Sequence, residues 1–246
     1  MSGHSKWATI KRAKGANDAK RGAMFTRLGR EIAIAAKEGG GNPESNFRLR
    51  LAIDKARAAN MPKDNIERAI ARATGQGGEG ISYEEVTYEV YLPHKVPAII
   101  NVMTDNRNRT VAELRKAVTR AGGQFEGAAV MWQFSRKGVI VIERTDKVNS
   151  DDVFEVALEA GADDIIIGDD AIEITTSVES FREVREALHK KGYEFAQAEI
   201  MLIPSNTTAL DKEKTEQVMG LIDTLEEMDD VQQVYHALEL GDEVAA

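Results

Sequence analysis

The sequence predicts an α+β protein: an N-terminal three-helix domain followed by two small α/β-sandwich domains, one ferredoxin-like and inserted in the other. Three observations predict it. Apolar residues recur at helical spacing through the first 75 residues and change to strict alternation after residue 85. Four glycines between Thr74 and Gly80 separate the two regimes. From about residue 135 the elements follow the order βαββαβ, the split-βαβ signature.

Residues 1–16 show no apolar period. With Gly3 and Gly15 among Lys6, Lys11, Arg12 and Lys14 they read as a cationic arm. A helix follows from about Asn17 to Lys37, because Phe25, Leu28, Ile32 and Ala36 form one stripe. Lys20, Arg27 and Arg30 fall on its other side. Gly39-Gly40-Gly41 stops it. A second helix spans about Asn46 to Ala58, with Leu49, Ile53 and Ala56 inward. Pro62 opens a third in its first turn, with Ile66, Ala69 and Ile70 inward. These helices and the arm make a domain over 1–75.

Val86, Tyr88, Val90 and Leu92, then Val96, Ala98, Ile100 and Val102, predict a hairpin with one buried face. Thr110 with Glu113 has the capping-box pattern for a helix that ends at Gly122-Gly123. A strand is expected over Ala128 to Phe134. The βαββαβ run then occupies 135–204, with Gly168-Asp169-Asp170 at its central turn and Thr176 with Glu179 as a second capping box. After Pro204 a helix carrying Val218, Leu221, Ile222, Leu225 and Met228 leads to a strand from Val231 to His236. That last pair has no partner of its own. It is expected to join residues 81–133, so that 205–240 completes a middle domain around the insertion.

Composition excludes several classes. The 246 residues contain no cysteine, so neither a disulfide nor a thiolate metal site exists. Met1–Trp7 lacks the apolar core of a secretory signal, and runs such as Ala128–Trp132 are far too short to span a bilayer. A cytoplasmic location with no membrane partner is the expectation. The net charge of −9 is unevenly divided. Residues 1–75 hold 16 Lys+Arg against 7 Asp+Glu, a net +9, and the remainder of the chain holds 16 against 34, a net −18. Such asymmetry points to a polyanion partner for the basic end.

Enzyme signals are weak. The four histidines, His4, His94, His189 and His236, show no ligand spacing, and no nucleophile elbow, Walker loop or dinucleotide fingerprint appears. Asp pairs at 151–152, 163–164, 169–170 and 229–230 suit a Mg²⁺-dependent nuclease in type, but each sits at a predicted cap or turn, which is the stronger reading. No catalytic residue, metal site, cofactor or small-molecule substrate is expected. The expected nucleic-acid-binding set is His4, Lys6, Trp7, Lys11, Arg12, Lys14, Lys20, Arg21, Arg27 and Arg30, which neutralise phosphates. Trp7 either stacks on a base or packs over the helices. Asn106, Arg107 and Arg109 form a second set at a helix N-terminus, where free N–H groups favour an anion. The same residues also suit a plain capped turn with solvated arginines.

Gly3–Trp7 (GHSKW), Asp18–Gly22, Phe25-Thr26, the triple glycine with Asn42-Pro43, DNRNRT at Asp105–Thr110, Asp230–Gln232 and Val234–His236 together resemble the YebC/PmpR family over nearly the whole chain. The resemblance implies a three-domain α+β protein of the bacterial cytoplasm. It also implies a DNA-binding transcriptional regulator. A mitochondrial relative is described as a translational activator of cytochrome oxidase, and other members are linked to stalled ribosomes. The sequence departs from the family at Leu92-Pro93-His94-Lys95, where a Gly-Pro-Gly-Gly turn is usual. It departs again over Gln124–Val130, where Leu-Gly and Gly-Ser-Val are usual.

Three functions follow as expectations. The first is a DNA-binding transcriptional regulator. The second is a ribosome-associated translation factor that binds rRNA or tRNA and relieves stalled translation. The third and most remote is the nuclease. Against the first stands the lack of a recognition helix that begins with base-reading side chains; the second needs only shape and phosphate contacts.

Overall fold

A computed structural model describes residues 18–75, 83–125 and 127–240, with side chains from Met24 onward. The described residues divide into two compact units, one holding 18–75, 83–125, 127–130 and 211–236, the other 131–210 and 237–240.

The first unit begins with α1 (Asp18–Gly39), α2 (Phe47–Ala58) and α3 (Lys63–Ala73). Leu28, Ile32 and Ala36 of the predicted stripe are buried, and they pack with Leu49, Ile53, Ala56 and Ile66 in one core. Asn46 caps α2, its side chain accepting from the Leu49 amide at 3.0 Å while donating to the Ala35 carbonyl at 2.8 Å. Pro62 stands at the N-cap of α3, one residue earlier than the expected first turn.

The helices are followed by β1 (Glu84–Leu92), β2 (Val96–Thr104) and α4 (Arg107–Arg120), and the unit is completed by α7 (Lys212–Glu226) and β7 (Val231–His236). The sheet order is β1-β2-β7, antiparallel throughout. β7 therefore pairs with a strand more than a hundred residues earlier in the sequence. Being central, β2 is buried along nearly its whole length on both faces, so the expectation of a single buried face fails for it. Leu114 and Val118 from α4, and Val218, Leu221, Ile222 and Leu225 from α7, are buried with the sheet.

The strand expected over 128–134 does not exist. Val130 is held by the Glu89 carboxylate, which accepts from its amide at 2.6 Å, and Met131–Gln133 form a 3₁₀ turn. The true strand, β3, starts at Phe134 and belongs to the second unit. Neither capping-box expectation holds. Thr110 lies inside α4, whose N-cap is Asn106, and the later helix Phe181–Lys190 has Ser180, not Thr176, at its N-cap position.

The β1–β2 turn accounts for one departure from the family pattern. His94 and Lys95 both adopt positive φ, +60° and +62°, where glycine carries no Cβ penalty. The His94 Nε2 gains a partner in the Gln217 Oε1 at 2.9 Å; Lys95 is exposed. Lys95→Gly is expected to leave stability unchanged or to raise it by up to about 1 kcal/mol, against the usual cost of glycine. Urea denaturation followed by circular dichroism reads the sign.

The second unit comprises β3 (Phe134–Glu143), α5 (Ser150–Glu159), β4 (Ala162–Ile167), β5 (Ala171–Thr176), α6 (Phe181–Lys190) and β6 (Gln197–Pro204). Its sheet order β4-β5-β3-β6, all antiparallel, is the ferredoxin-like arrangement. Gly138 has no room for a side chain, since an added Cβ would lie 2.7 Å from the Phe181 Cβ. Ser205–Leu210 and Ala237–Leu240 group with this unit, not with the middle sheet as expected; Thr208 and Leu238 form a parallel bridge there.

Candidate nucleic-acid interface

The Asp105–Thr110 motif connects β2 to α4. Asn106 caps the helix, its side chain accepting from the Arg109 amide at 3.1 Å, and its own amide donates to the Thr104 hydroxyl at 2.9 Å. Arg107 and Asn108 stand exposed in the first turn of α4. Unpaired N–H groups of the first turn, the positive end of the helix dipole and the Arg107 guanidinium thus coincide.

Arg109 is differently placed. It donates to the Asp105 carboxylate at 3.0 Å and to the Asp230 carboxylate at 2.8 Å. The hydrogen bond to Asp230 is the main cause that raises its pKa above the ordinary arginine value, followed by the charge of Asp230 and the bond to Asp105.

Asp230, in the turn before β7, is the centre of a buried network. Its carboxylate accepts from the Thr110 hydroxyl at 2.6 Å, Arg109 at 2.8 Å, the Thr104 hydroxyl at 3.1 Å and Arg30 at 2.9 Å. Thr104, Thr110 and Asp230 are all buried. Burial pushes the Asp230 carboxyl up. The hydrogen bonds from Arg109, Thr110 and Thr104 outweigh that and hold it below the usual carboxylate range. Arg30 also donates to the Asp229 carbonyl at 2.6 Å and the Met103 carbonyl at 3.2 Å, and lies over the Tyr83 ring, 5.2 Å from its centroid. One carboxylate therefore ties α1, the end of β2 and the start of α4 together.

The expected phosphate-binding residues separate into three groups. His4, Lys6, Trp7, Lys11, Arg12 and Lys14 lie outside the described residues. Lys20 and Arg21 fall in the first turn of α1, and only their backbone is described. Arg27 and Arg30 have internal partners: Arg27 donates to the Glu226 carbonyl, and burial lowers its pKa against the raising effect of Glu226 and Asp229. These two guanidiniums, expected to neutralise phosphates, take internal partners that anchor α1. In the second set, Asn106 caps, Arg109 is held between two carboxylates, and Arg107 faces solvent.

Sequence reasoning offered Asp230 only as a metal-ligand or turn candidate and gave Thr104 no role. The available signal was two family-like motifs, Asp105–Thr110 and Asp230–Gln232, which the sheet brings together. Of the other Asp pairs, Asp152 accepts from Lys191 at 3.0 Å and Tyr193 at 2.7 Å, and Asp163 pairs with Lys137 at 2.8 Å. The Tyr193 hydroxyl is pushed up to about 12 by burial and by the Asp152 bond. Among the described residues no three His, Asp or Glu side chains converge as metal ligands, and no helix is long and apolar enough to cross a membrane.

Comparison with known proteins covers nearly the whole chain. A family model described as the TACO1/YebC protein N-terminal domain matches residues 5–76, and one described as the TACO1/YebC second and third domain matches residues 83–238. A protein of Dictyoglomus turgidum named "Probable transcriptional regulatory protein" is 51% identical over 245 residues, which span 99% of this chain and 98% of that one. A protein of Trichlorobacter lovleyi with the same name is 52% identical, across 96% of this chain and 94% of the relative. The crystal structure of a conserved hypothetical protein from Aquifex aeolicus superposes with a TM-score of 0.82 at 42% identity, covering 92% of this chain and 93% of that one.

Proposed function

The chain belongs to the TACO1/YebC family, and from that premise we propose that it is a nucleic-acid-binding regulator of gene expression, acting on DNA as a transcriptional regulator. The observation that carries this reading is the charge division. The first thirty residues hold eight Lys or Arg and one Asp, ahead of a strongly acidic remainder. The names of the relatives, which describe transcriptional regulators, agree with it.

The binding surface consists of the arm residues His4, Lys6, Trp7, Lys11, Arg12 and Lys14, then Lys20 and Arg21, with Arg107 and the N-terminus of α4 as a separate anion site. Arg27, Arg30 and Arg109 support it from inside and make no phosphate contact. Binding of this kind neutralises phosphates and reads little sequence. The acidic remainder repels the same polyanion and orients the contact.

One observation favours a second reading, a ribosome-associated translation factor bound to rRNA or tRNA. In the helical domain, neither α2 nor α3 offers a base-reading start. α2 begins Phe47-Arg48-Leu49, with Arg48 paired to Glu38 and Glu85, and α3 begins Lys63-Asp64-Asn65. Recognition without base readout suits structured RNA. Equilibrium binding to duplex DNA and to structured RNA across a salt series tests the shared claim. If the six cations Lys6 to Arg21 and Arg107 each neutralise one phosphate, log K falls against log salt with a slope of about −6 on duplex DNA. A slope near zero overturns the surface. Cleavage of either substrate that is abolished by a chelator would replace binding with the nuclease; intact substrates are expected.

A further inference from the structure

The second unit carries a face that nucleic-acid binding does not use. Residues 150–170, which make up α5, β4 and the turn after it, contain eight Asp or Glu and no Lys or Arg. Asp152 and Asp163 are paired to Lys191 and Lys137, while Asp151, Glu155, Glu159, Asp164 and Asp169 are exposed. Large apolar side chains stand among these acids. Phe154 and Leu158, one turn apart on α5, are 40% and 56% exposed, and Ile167 at the end of β4 is 43% exposed. Exposed apolar residues grouped this way mark an interaction surface more often than singly scattered ones do.

The backbone supplies the third element. Among the described residues β4 is an edge strand, with β5 as its only neighbour in the sheet. The Gly168 amide donates to the Ala171 carbonyl at 2.9 Å, which makes that a hydrogen-bonded pair. In an antiparallel ladder bonded and non-bonded pairs alternate. The pairs Ile167–Ile172 and Ile165–Ile174 are therefore non-bonded ones, and the amides and carbonyls of Ile165 and Ile167 point away from β5. Their side chains share the face of the buried Ile172 and Ile174.

We infer that the free edge of β4, flanked by α5, is a docking site for an extended, Lys/Arg-rich segment of a partner protein that carries apolar residues at alternate positions. The edge amides and carbonyls accept a fifth strand, the apolar residues contact Ile165, Ile167 and the Phe154–Leu158 pair, and the cations meet the acids. Charge selects this occupant. A second copy would bring the same acids against themselves, and a nucleic acid is repelled by them. The site is independent of the nucleic-acid reading, because it uses none of the same residues.

The test uses the full-length protein and a short labelled peptide that alternates Lys or Arg with Val or Leu. A control peptide replaces the Val and Leu with Ser at unchanged charge. Anisotropy titration at low and moderate salt should show binding of the first peptide at least about tenfold tighter than of the control. Hydrogen exchange should show new protection at the Ile165 and Ile167 amides. Ile167→Pro removes the outward donor without a ladder bond and should weaken binding roughly tenfold. Because that variant risks local misfolding, Asp169→Asn with Glu155→Gln, both at exposed positions, should weaken it independently. Equal binding of the two peptides, binding without protection at Ile165 and Ile167, or no binding at all would each overturn the inference.

Discussion

Asp230→Ala is expected to destabilise the first unit by about 3–5 kcal/mol, the cost of removing one partner from a buried charge network. Arg30, whose side chain is 13% exposed, would lose its carboxylate and retain its carbonyl partners and the Tyr83 ring. The buried hydroxyls of Thr104 and Thr110 would lose their shared acceptor. Asp230→Asn keeps the volume and should cost less. It also provides the pH test. The folded Asp230 carboxyl is held below its ordinary value. Its contribution is therefore present above the ordinary carboxylate pKa of about 3.9 and is lost as pH falls through the lower folded value. The wild-type protein should lose stability on acidification below about pH 4 more steeply than Asp230→Asn does. Denaturant unfolding of the three proteins between neutral pH and pH 3 reads both effects. An Asp230→Ala midpoint equal to wild type would show that the network does not hold α1 in place.

Reversing the charge of Lys6, Lys11, Arg12, Lys14, Lys20 and Arg21 together should reduce nucleic-acid affinity by three orders of magnitude or more near physiological salt, and uniformly across sequences, as expected when about six phosphate contacts are lost. The unfolding midpoint should not move, because none of these cations is expected to pack in a core. Arg107→Glu alone should lower the salt slope by about 1 and affinity by a smaller factor. Arg30→Glu behaves differently: it acts on stability through Asp230, and affinity falls only as far as folding does. Affinity that survives the six-fold reversal would move the contact surface away from the basic third of the chain.

The helical third was legible because burial follows a local period. Leu28, Ile32 and Ala36 recur on one stripe and are buried, and the same logic identified Val218, Leu221, Ile222 and Leu225. The βαββαβ order was legible for a similar reason, since turn residues such as Gly168-Asp169-Asp170 punctuate it. That the last strand joins the 81–133 sheet followed from its lack of a neighbour, an argument from topology; that β2 is its partner did not.

Three things were not legible. The start of β3 was misplaced because Ala128–Phe134 reads as an apolar run. What breaks that run is the Glu89 carboxylate, forty-one residues earlier, on the Val130 amide. Thr110-x-x-Glu113 matches a capping box in sequence, yet the Thr110 hydroxyl turns inward to Thr104 and Asp230. Arg27 and Arg30 lie opposite the apolar stripe, so a wheel places them in solvent. Their partners, Glu226 and Asp230, lie 199 and 200 positions away. Periodicity finds faces; it does not find a carboxylate that arrives from the far end of the chain.

The measurement that tests the central claim most directly is ultraviolet cross-linking of the tagged protein in growing cells, with sequencing of both attached DNA and attached RNA. Nucleic-acid cross-links that disappear when residues 1–16 are deleted are expected, concentrated at discrete promoter sites for the transcriptional reading. Cross-links concentrated in ribosomal RNA and equally dependent on the arm would make the protein a translation factor that uses the same surface. Cross-links to neither above background, or cross-links unaffected by the deletion, would contradict the claim that the basic end of this chain holds a nucleic acid.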